Sequence, residues 1–372
     1  MRFFLSVFLL VFLHAPLSFA DPFDDYAIGS GLAITNGARF FSPTATDFLI
    51  SPSISLMDVK KTSFVFNYLY EVSKRKIVSN QVFAVTSGYL YKLNSRLHFG
   101  FGFYSPIDNG TFFDTFDSSN NYSYRVSRSR VMTSRAGFQY AFAENKLRVG
   151  LLGMLNLSNE TKTNFILNNS NPTNHVESSI RPRVSFKGSV DWELSQKSLL
   201  SFSFRRYLQN DSKVLLNGKI PFGSAVVDIV ALGKSTYAFY PSSFELMIQK
   251  NYQNISLAFG SRYSLWSKMD SPMLMITYSA PVIANGISSF SAKNSFNAYA
   301  SVLFKNFSSP ISASFVWEQN PFKNVAMFVD SDFFQLSLGT QSLYRNLVIP
   351  WGVKVGFQGS NVVYQALFGL NF

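Results

Sequence analysis

The sequence predicts an all-β fold: a transmembrane antiparallel β-barrel of about 14 strands with an N-terminal plug inside the lumen. Three observations predict it. From about Thr62 onwards, segments of roughly 10 residues alternate apolar and polar with period two, as barrel strands do. The gaps between them are alternately short and long, the pattern of tight turns at one rim and loops at the other. In the last nine residues, Tyr364, Ala366, Phe368, Leu370 and Phe372 share one strand face, while Gln365, Gly369 and Asn371 share the other. Such a strand closes a cylinder, leaving no backbone group unpaired in lipid.

The elements follow in order. Met1–Ala20 carries Arg2, an apolar core from Phe3 to Leu13, and the small-residue site Ser18-Phe19-Ala20. This reads as a secretory signal peptide, too short to span a membrane as a helix. The expected organisation is 1–20 signal peptide, 21–57 plug and 58–372 barrel. The stretch 21–57 does not alternate and is rich in Gly, Ser, Ala and Pro. It is too long for a simple turn. A cylinder of 14 strands is wide enough to leave a channel that such a segment would block.

In the barrel region, Phe64, Phe66, Tyr68 and Tyr70 oppose Ser63, Asn67 and Glu71. Phe99, Phe101 and Phe103 oppose His98, Gly100 and Gly102. Ala136, Phe138, Tyr140 and Phe142 oppose Arg135, Gly137 and Gln139. The same alternation places Arg148, Gly150, Asp191, Glu193, Arg205, Arg262 and Lys354 on the polar, lumen-facing side. Further strands are expected at 81–92, 242–252, 292–305, 310–319 and 332–344, with one more between Lys213 and Phe239. Tight links fall at Asn94-Ser95, Glu144-Asn145, Ser195-Gln196 and Gly359-Ser360. Long ones run 106–123, 159–177 and 210–236.

Composition agrees. The chain has 40 Phe and 18 Tyr, which suits the aromatic girdles of a barrel. It has no Cys, which excludes a disulfide scaffold. The net charge of +12 would suit nucleic acid, but export argues against that partner. Anionic lipid head groups, a basic lumen or a merely solvated surface would each accommodate it.

Several stretches then resemble the FadL-like family of long-chain fatty acid and hydrophobic compound transporters of the outer membrane. Ser30-Gly31-Leu32-Ala33, Gly37-Ala38-Arg39, Asp47 and Ser51-Pro52-Ser53 are similar to the family's plug. Tyr240-Pro241-Ser242-Ser243-Phe244-Glu245-Leu246 and Leu265-Trp266-Ser267-Lys268-Met269 are similar to two later stretches. The sequence departs from the pattern at Ala33, where a second Gly is usual, and at Ser51-Pro52-Ser53, which replaces Asn-Pro-Ala. The region from Pro272 to Ser291 has no counterpart. The resemblance implies a 14-stranded plugged barrel in the outer membrane of a Gram-negative bacterium, passing hydrophobic molecules passively. It also implies that an aromatic near the mature N-terminus, here Phe23, inserts into a ligand pocket.

The expected hydrophobic ligand contacts are Phe23, Phe165, Ile166, Leu167, Phe222, Val226, Ile229 and Val230. Exposed apolar residues within polar loops need a use. For 225–232, an eighth strand or a loop's own small core is the plainer reading. A carboxylate ligand would want a basic anchor in an apolar pocket, and Arg148 and Arg205 are the expected ones. Expected partners are a fatty acid-like ligand, outer-membrane lipid and lipopolysaccharide, and the barrel assembly machinery through the C-terminal strand. No cofactor is expected. An enzyme is not expected either: the mature chain holds only His98 and His175, and no Gly-x-Ser-x-Gly stretch. The alternatives are a general or anion-preferring porin and a structural or assembly barrel without transport.

Overall fold

Period-two alternation makes strands, and here nearly every strand pairs antiparallel with a neighbour close in the chain. The structure, a computed structural model, describes residues 45–371 apart from 55–61, 75–77, 115–122, 127–130, 143–145, 159–160, 167–172, 181, 223–224, 270–274, 279–291, 322–330 and 345–346. The strands are β1 (Thr62–Lys74), β2 (Val78–Lys92), β3 (Leu97–Asp114), β4 (Ser123–Val126), β5 (Val131–Phe142), β6 (Leu147–Ser158), β7 (Thr161–Ile166), β8 (Thr173–Ile180), β9 (Arg183–Ser195) and β10 (Ser198–Arg205). They continue as β11 (Leu208–Phe222), β12 (Ala225–Tyr240), β13 (Ser242–Asn251), β14 (Ile255–Leu265), β15 (Met275–Tyr278), β16 (Ser295–Phe304), β17 (Ile311–Glu318), β18 (Phe333–Tyr344), β19 (Leu347–Gln358) and β20 (Asn361–Asn371). A single helical turn, α1 (Ala45–Phe48), precedes them.

Fourteen of these strands close into a ring. The wall runs β1, β2, β3, β5, β6, β9, β10, β13, β14, β16, β17, β18, β19 and β20. It shuts where β20 pairs with β1, Tyr68 opposite Phe368 and Val65 opposite Asn371. The expected 14-stranded barrel and its closing pair are both present. Because β1 and β20 are antiparallel, the chain enters and leaves the wall at one rim.

The other six strands stand outside the ring. They extend from the upper part of β3 as a sheet in the order β3, β4, β7, β8, β11, β12 and β15. The expectation of one further strand between Lys213 and Phe239 is corrected here. That stretch supplies two strands, β11 and β12, of a long hairpin beyond the wall, and the eighth wall strand is β13. The reading of 225–232 as strand eight falls with it. The region around Pro272–Ser291, without counterpart in the resemblance, contributes β15 to the same sheet.

The rims differ as expected. The links 93–96, 196–197, 252–254 and 305–310 lie at the rim where the chain enters, where β5 and β18 also end and β6 and β19 begin. The strands β4, β7, β8, β11, β12 and β15 belong to the four longest connections, between β3 and β5, β6 and β9, β10 and β13, and β14 and β16, at the opposite rim. Gly359-Ser360 is short but belongs to the long-loop rim, since β19 rises towards it. Gly359 there takes φ 60°, a turn conformation that glycine adopts without strain.

The wall's outer side is an apolar belt. Phe64, Tyr89, Phe101, Phe138, Leu246, Phe259, Leu338 and Phe368 are all exposed. The alternate residues Val65, Leu90, Arg135, Gln139, Asp191, Glu245 and Leu367 are buried on the inner side. A continuous aromatic and aliphatic belt of this extent does not face water. With every wall strand paired on both edges, the belt faces lipid hydrocarbon, and the barrel spans a membrane.

Candidate functional site

The lumen is not empty. Residues 45–54 lie inside it, with Ala45, Phe48, Leu49, Ile50 and Ile54 at 0–1% exposure. The segment makes one helical turn and then folds back. The Asp47 carbonyl accepts from Ile50 N and Ser51 N at 3.0 and 2.9 Å, and Ser51 O accepts from Ile54 N at 3.0 Å. Pro52 suits this break because it cannot continue a helix.

Glycines on the inner wall seat the segment. A side chain at Gly100 would collide with the Phe48 ring, one at Gly102 with Leu49, and one at Gly150 with Pro52. Gly100 and Gly102 sit on lumen parity between the outward aromatics Phe99, Phe101 and Phe103, and Gly150 between the outward Val149 and Leu151. The alternation therefore makes the wall thick towards lipid and thin towards the lumen, where the segment fills the space.

Polar wall residues hold the segment mainly by its backbone. Arg135 Nη1 donates to Leu49 O. Gln139 Nε2 donates to Ile54 O at 2.7 Å, and Arg148 Nε to Ser53 O at 3.2 Å. Ser53 N donates to Ser189 Oγ at 2.8 Å, and Ser53 Oγ to Asp191 Oδ1 at 2.8 Å. Asp191 also accepts from Ser201 Oγ at 2.6 Å. Arg148 Nη1 pairs with Glu193 at 2.7 Å, and Gln139 Oε1 faces His98 Nδ1 at 2.8 Å. Strands β3, β5, β6, β9 and β10 thus form a cradle. A buried carbonyl without a partner is costly, so each of these donors stabilises the segment where it lies.

A second polar cluster lies across β10, β13, β14 and β16. Glu245 accepts from Tyr299 Oη at 2.8 Å, Arg262 Nη2 at 3.3 Å and Ser203 Oγ at 3.4 Å. Tyr299 lies over Gly260, where a side chain would collide with its ring. Arg205 is 3% exposed, and its Nε donates to Pro241 O at 3.4 Å.

The long-loop rim carries the other feature. Directly paired residues of antiparallel strands share a face, and faces alternate along each strand. The pairings put Thr111, Phe113, Val126, Thr163, Phe165, Val176, Leu216, Ile220, Phe222, Val227, Ile229, Ala231, Ile276 and Tyr278 on one face of the outer sheet. Among the described residues, no charged one shares that face. The opposite face holds Asp114, Arg125, Lys162, Glu177, Lys213, Lys219, Asp228 and Lys234, with Lys162 opposite Glu177 and Lys219 opposite Asp228. Thr111 and Phe113 pair with Asn80 and Val78, which share the face of the buried, lumen-side Ala84. The uncharged face is therefore continuous with the lumen face. An extra residue in β3, Ile107, lies between the pairs Phe83–Asp108 and Ala84–Pro106.

The sequence-derived candidates are distributed unevenly over this geometry. Phe165, Phe222 and Ile229 fall on the uncharged face. Ile166, Val226 and Val230 fall on the charged one. Leu167 and Phe23 lie outside the described residues. Arg148 and Arg205 are both on the lumen side, as expected, and Arg148 holds the inner segment. Sequence reasoning missed the seats at Gly100, Gly102 and Gly150. For the first two the signal was the Phe-Gly-Phe-Gly-Phe run with glycine on lumen parity.

Solved structures share this fold. The Pseudomonas putida toluene transporter TodX aligns over 93% of this chain and 96% of its own, with a TM-score of 0.60 at 14% identity. The CymD monoaromatic hydrocarbon channel aligns over 93% and 97%, with a TM-score of 0.58 at 11% identity. A Pseudomonas aeruginosa FadL homologue aligns over 93% and 97%, with a TM-score of 0.58 at 10% identity. No protein-family model matches the chain, and no curated protein does. At these identities the likeness is one of fold, and the fold is that of the FadL-like channels.

Proposed function

We propose that this protein is an outer-membrane channel through which hydrophobic small molecules diffuse passively. The observation that carries the reading is the uncharged face of the outer sheet, continuous with the lumen wall. It offers an uncharged path from the long-loop rim into the barrel, while the charges of the same sheet sit on the other side. Closed barrels of this kind belong to the bacterial outer membrane, and the structural neighbours are transport channels rather than enzymes. The segment 45–54, within the expected plug 21–57, acts as the block that separates this path from the opposite rim.

Phe165, Phe222 and Ile229 are the capture residues in this reading, with Phe23 entering the pocket from the N-terminal segment. Ile166, Leu167, Val226 and Val230 support the same loops. Arg205, on the inner wall above the cradle, is the anchor for a ligand carboxylate, and Arg148 shares that role while bracing Ser53. Fatty acids and monoaromatic hydrocarbons are the two ligand classes, and the anchor favours the former. Lipopolysaccharide surrounds the long-loop rim, and the C-terminal strand β20 addresses the barrel assembly machinery. An open anion porin fits less well, because Arg135, Arg148 and Arg262 have partners within the lumen.

Uptake of a labelled long-chain fatty acid and of toluene by a transporter-deficient host tests the proposal. Ile229→Asp charges the uncharged face and should reduce uptake by about tenfold, a cost of the order of burying one charge at an apolar surface. Val230→Asp, on the other face, should leave it unchanged. Equal effects of the two would overturn the path. Loss of fatty acid uptake alone in Arg205→Gln would identify the carboxylate as the recognised group.

A further inference from the structure

We infer that the outer wall carries a seat for one anionic phospholipid, at the rim of short turns. This goes beyond the transport reading and does not rest on it.

The seat has two parts. The first is an apolar groove of about 470 Å³ on the lipid side of β2, β3 and β5, lined by Tyr89, Tyr91, Phe99, Phe101, Ala136 and Phe138. It exists because small residues interrupt the belt. Ala136 lies directly opposite Phe101 on one side and Gly153 on the other, and both small residues face outwards. Large aromatics surround this gap, so lipid chains meet a dent rather than a smooth cylinder.

The second part is charge. Arg96 sits in the β2–β3 turn and Lys146 in the β5–β6 turn, and both are exposed. The two turns are neighbours: Ala141 N donates to Arg96 O at 2.9 Å, and Phe142 pairs with Leu147. Neither cation has a carboxylate partner among the described residues. Phe99 lies three residues above Arg96, about 10 Å along a strand. A phosphate held between the two cations therefore lets its acyl chain enter the groove directly. The turn rim also carries exposed Lys197, Lys250 and Lys305, so the leaflet beside it is drawn towards anionic head groups in general. Only the Arg96–Lys146 pair has the groove above it.

This rim meets the periplasmic leaflet, where the anionic lipid is a phospholipid rather than lipopolysaccharide. The test is native mass spectrometry of the full-length protein in non-ionic detergent, with palmitoyl-oleoyl phosphatidylglycerol or phosphatidylcholine added. One phosphatidylglycerol should be retained about tenfold more strongly than phosphatidylcholine, the preference falling with salt. Arg96→Gln with Lys146→Gln should reduce phosphatidylglycerol retention to the phosphatidylcholine level. Ala136→Phe, or Ala136→Leu if the first does not fold, should weaken retention of both lipids, with folding checked by heat-modifiable gel mobility. Inorganic phosphate at millimolar concentration should not displace the lipid. Equal retention of the two lipids, insensitivity to the cation pair, insensitivity to filling the groove, or displacement by phosphate alone would each overturn the inference.

Discussion

On the β3–β10 side of the lumen, the ring that covers Gly100 is Phe48, which belongs to the inner segment and not to the wall. On the β13–β20 side, the rings that cover Gly260 and Gly356 are Tyr299 and Phe333, each from the adjacent wall strand. The hydrogen bonds divide in the same way. The first side reaches mostly for backbone carbonyls, at Leu49, Ser53 and Ile54. The second joins side chain to side chain, as in Tyr299–Glu245, Arg262–Glu245 and Ser314–Ser337. One half of the cylinder is thus shaped to grip an insert by its main chain. The other half covers its glycines with its own rings, while Met247, Ala258, Tyr299, Val316 and Leu367 still join the insert in one apolar core.

The largest expected effect comes from closing a seat on the gripping side. Gly100→Leu should displace Phe48, cost about 1–3 kcal/mol as overpacking does, and raise conductance in planar bilayers. Unchanged conductance would break the comparison, since the segment would then not be what occludes the lumen.

Next comes Arg135→Ala, which leaves the buried Leu49 carbonyl short of a donor, at about 2 kcal/mol. The native chain has no Cys, so a single Ile50→Cys reports on the segment. Maleimide labelling there should speed up about tenfold when Arg135 is removed, because local opening becomes easier.

A smaller effect is expected on the self-filling side. Glu245→Gln weakens three contacts, and should cost about 1–2 kcal/mol in denaturant unfolding. Conductance and Ile50→Cys labelling should stay at their wild-type values. If either rises, the two halves are coupled and the division does not hold. Smallest is Ser314→Ala, which removes the 2.6 Å contact with Ser337. It should cost no more than about 1 kcal/mol, with no functional change.

Most of the wall was legible because alternation is a local signal. Val65, Arg135, Asp191 and Lys354 could be placed inside, and Phe64, Phe101 and Phe368 outside, from parity alone. The stretch 213–239 shows where that signal stops. A strand in an outer sheet with one uncharged face alternates as a wall strand does, so parity cannot say whether it joins the ring. The cradle was half legible. Arg148 could be assigned to the lumen, but its contact with Ser53 spans 95 positions of chain, and no local pattern encodes that. The same holds for Gly100, which reads as an ordinary small residue until Phe48 is found on it.

Ile107 is a single surplus residue, yet it divides β3 into two reading frames. Below it the even positions, Gly100, Gly102 and Tyr104, belong to the inner face. Above it the odd positions, Thr111 and Phe113, do. The consequence is not felt only at Ile107. Were that residue paired as an ordinary ladder position, with its successors shifted by one, the two faces would exchange over the whole outer part of the strand, bringing Asp114 to the side that the outer sheet keeps free of charge.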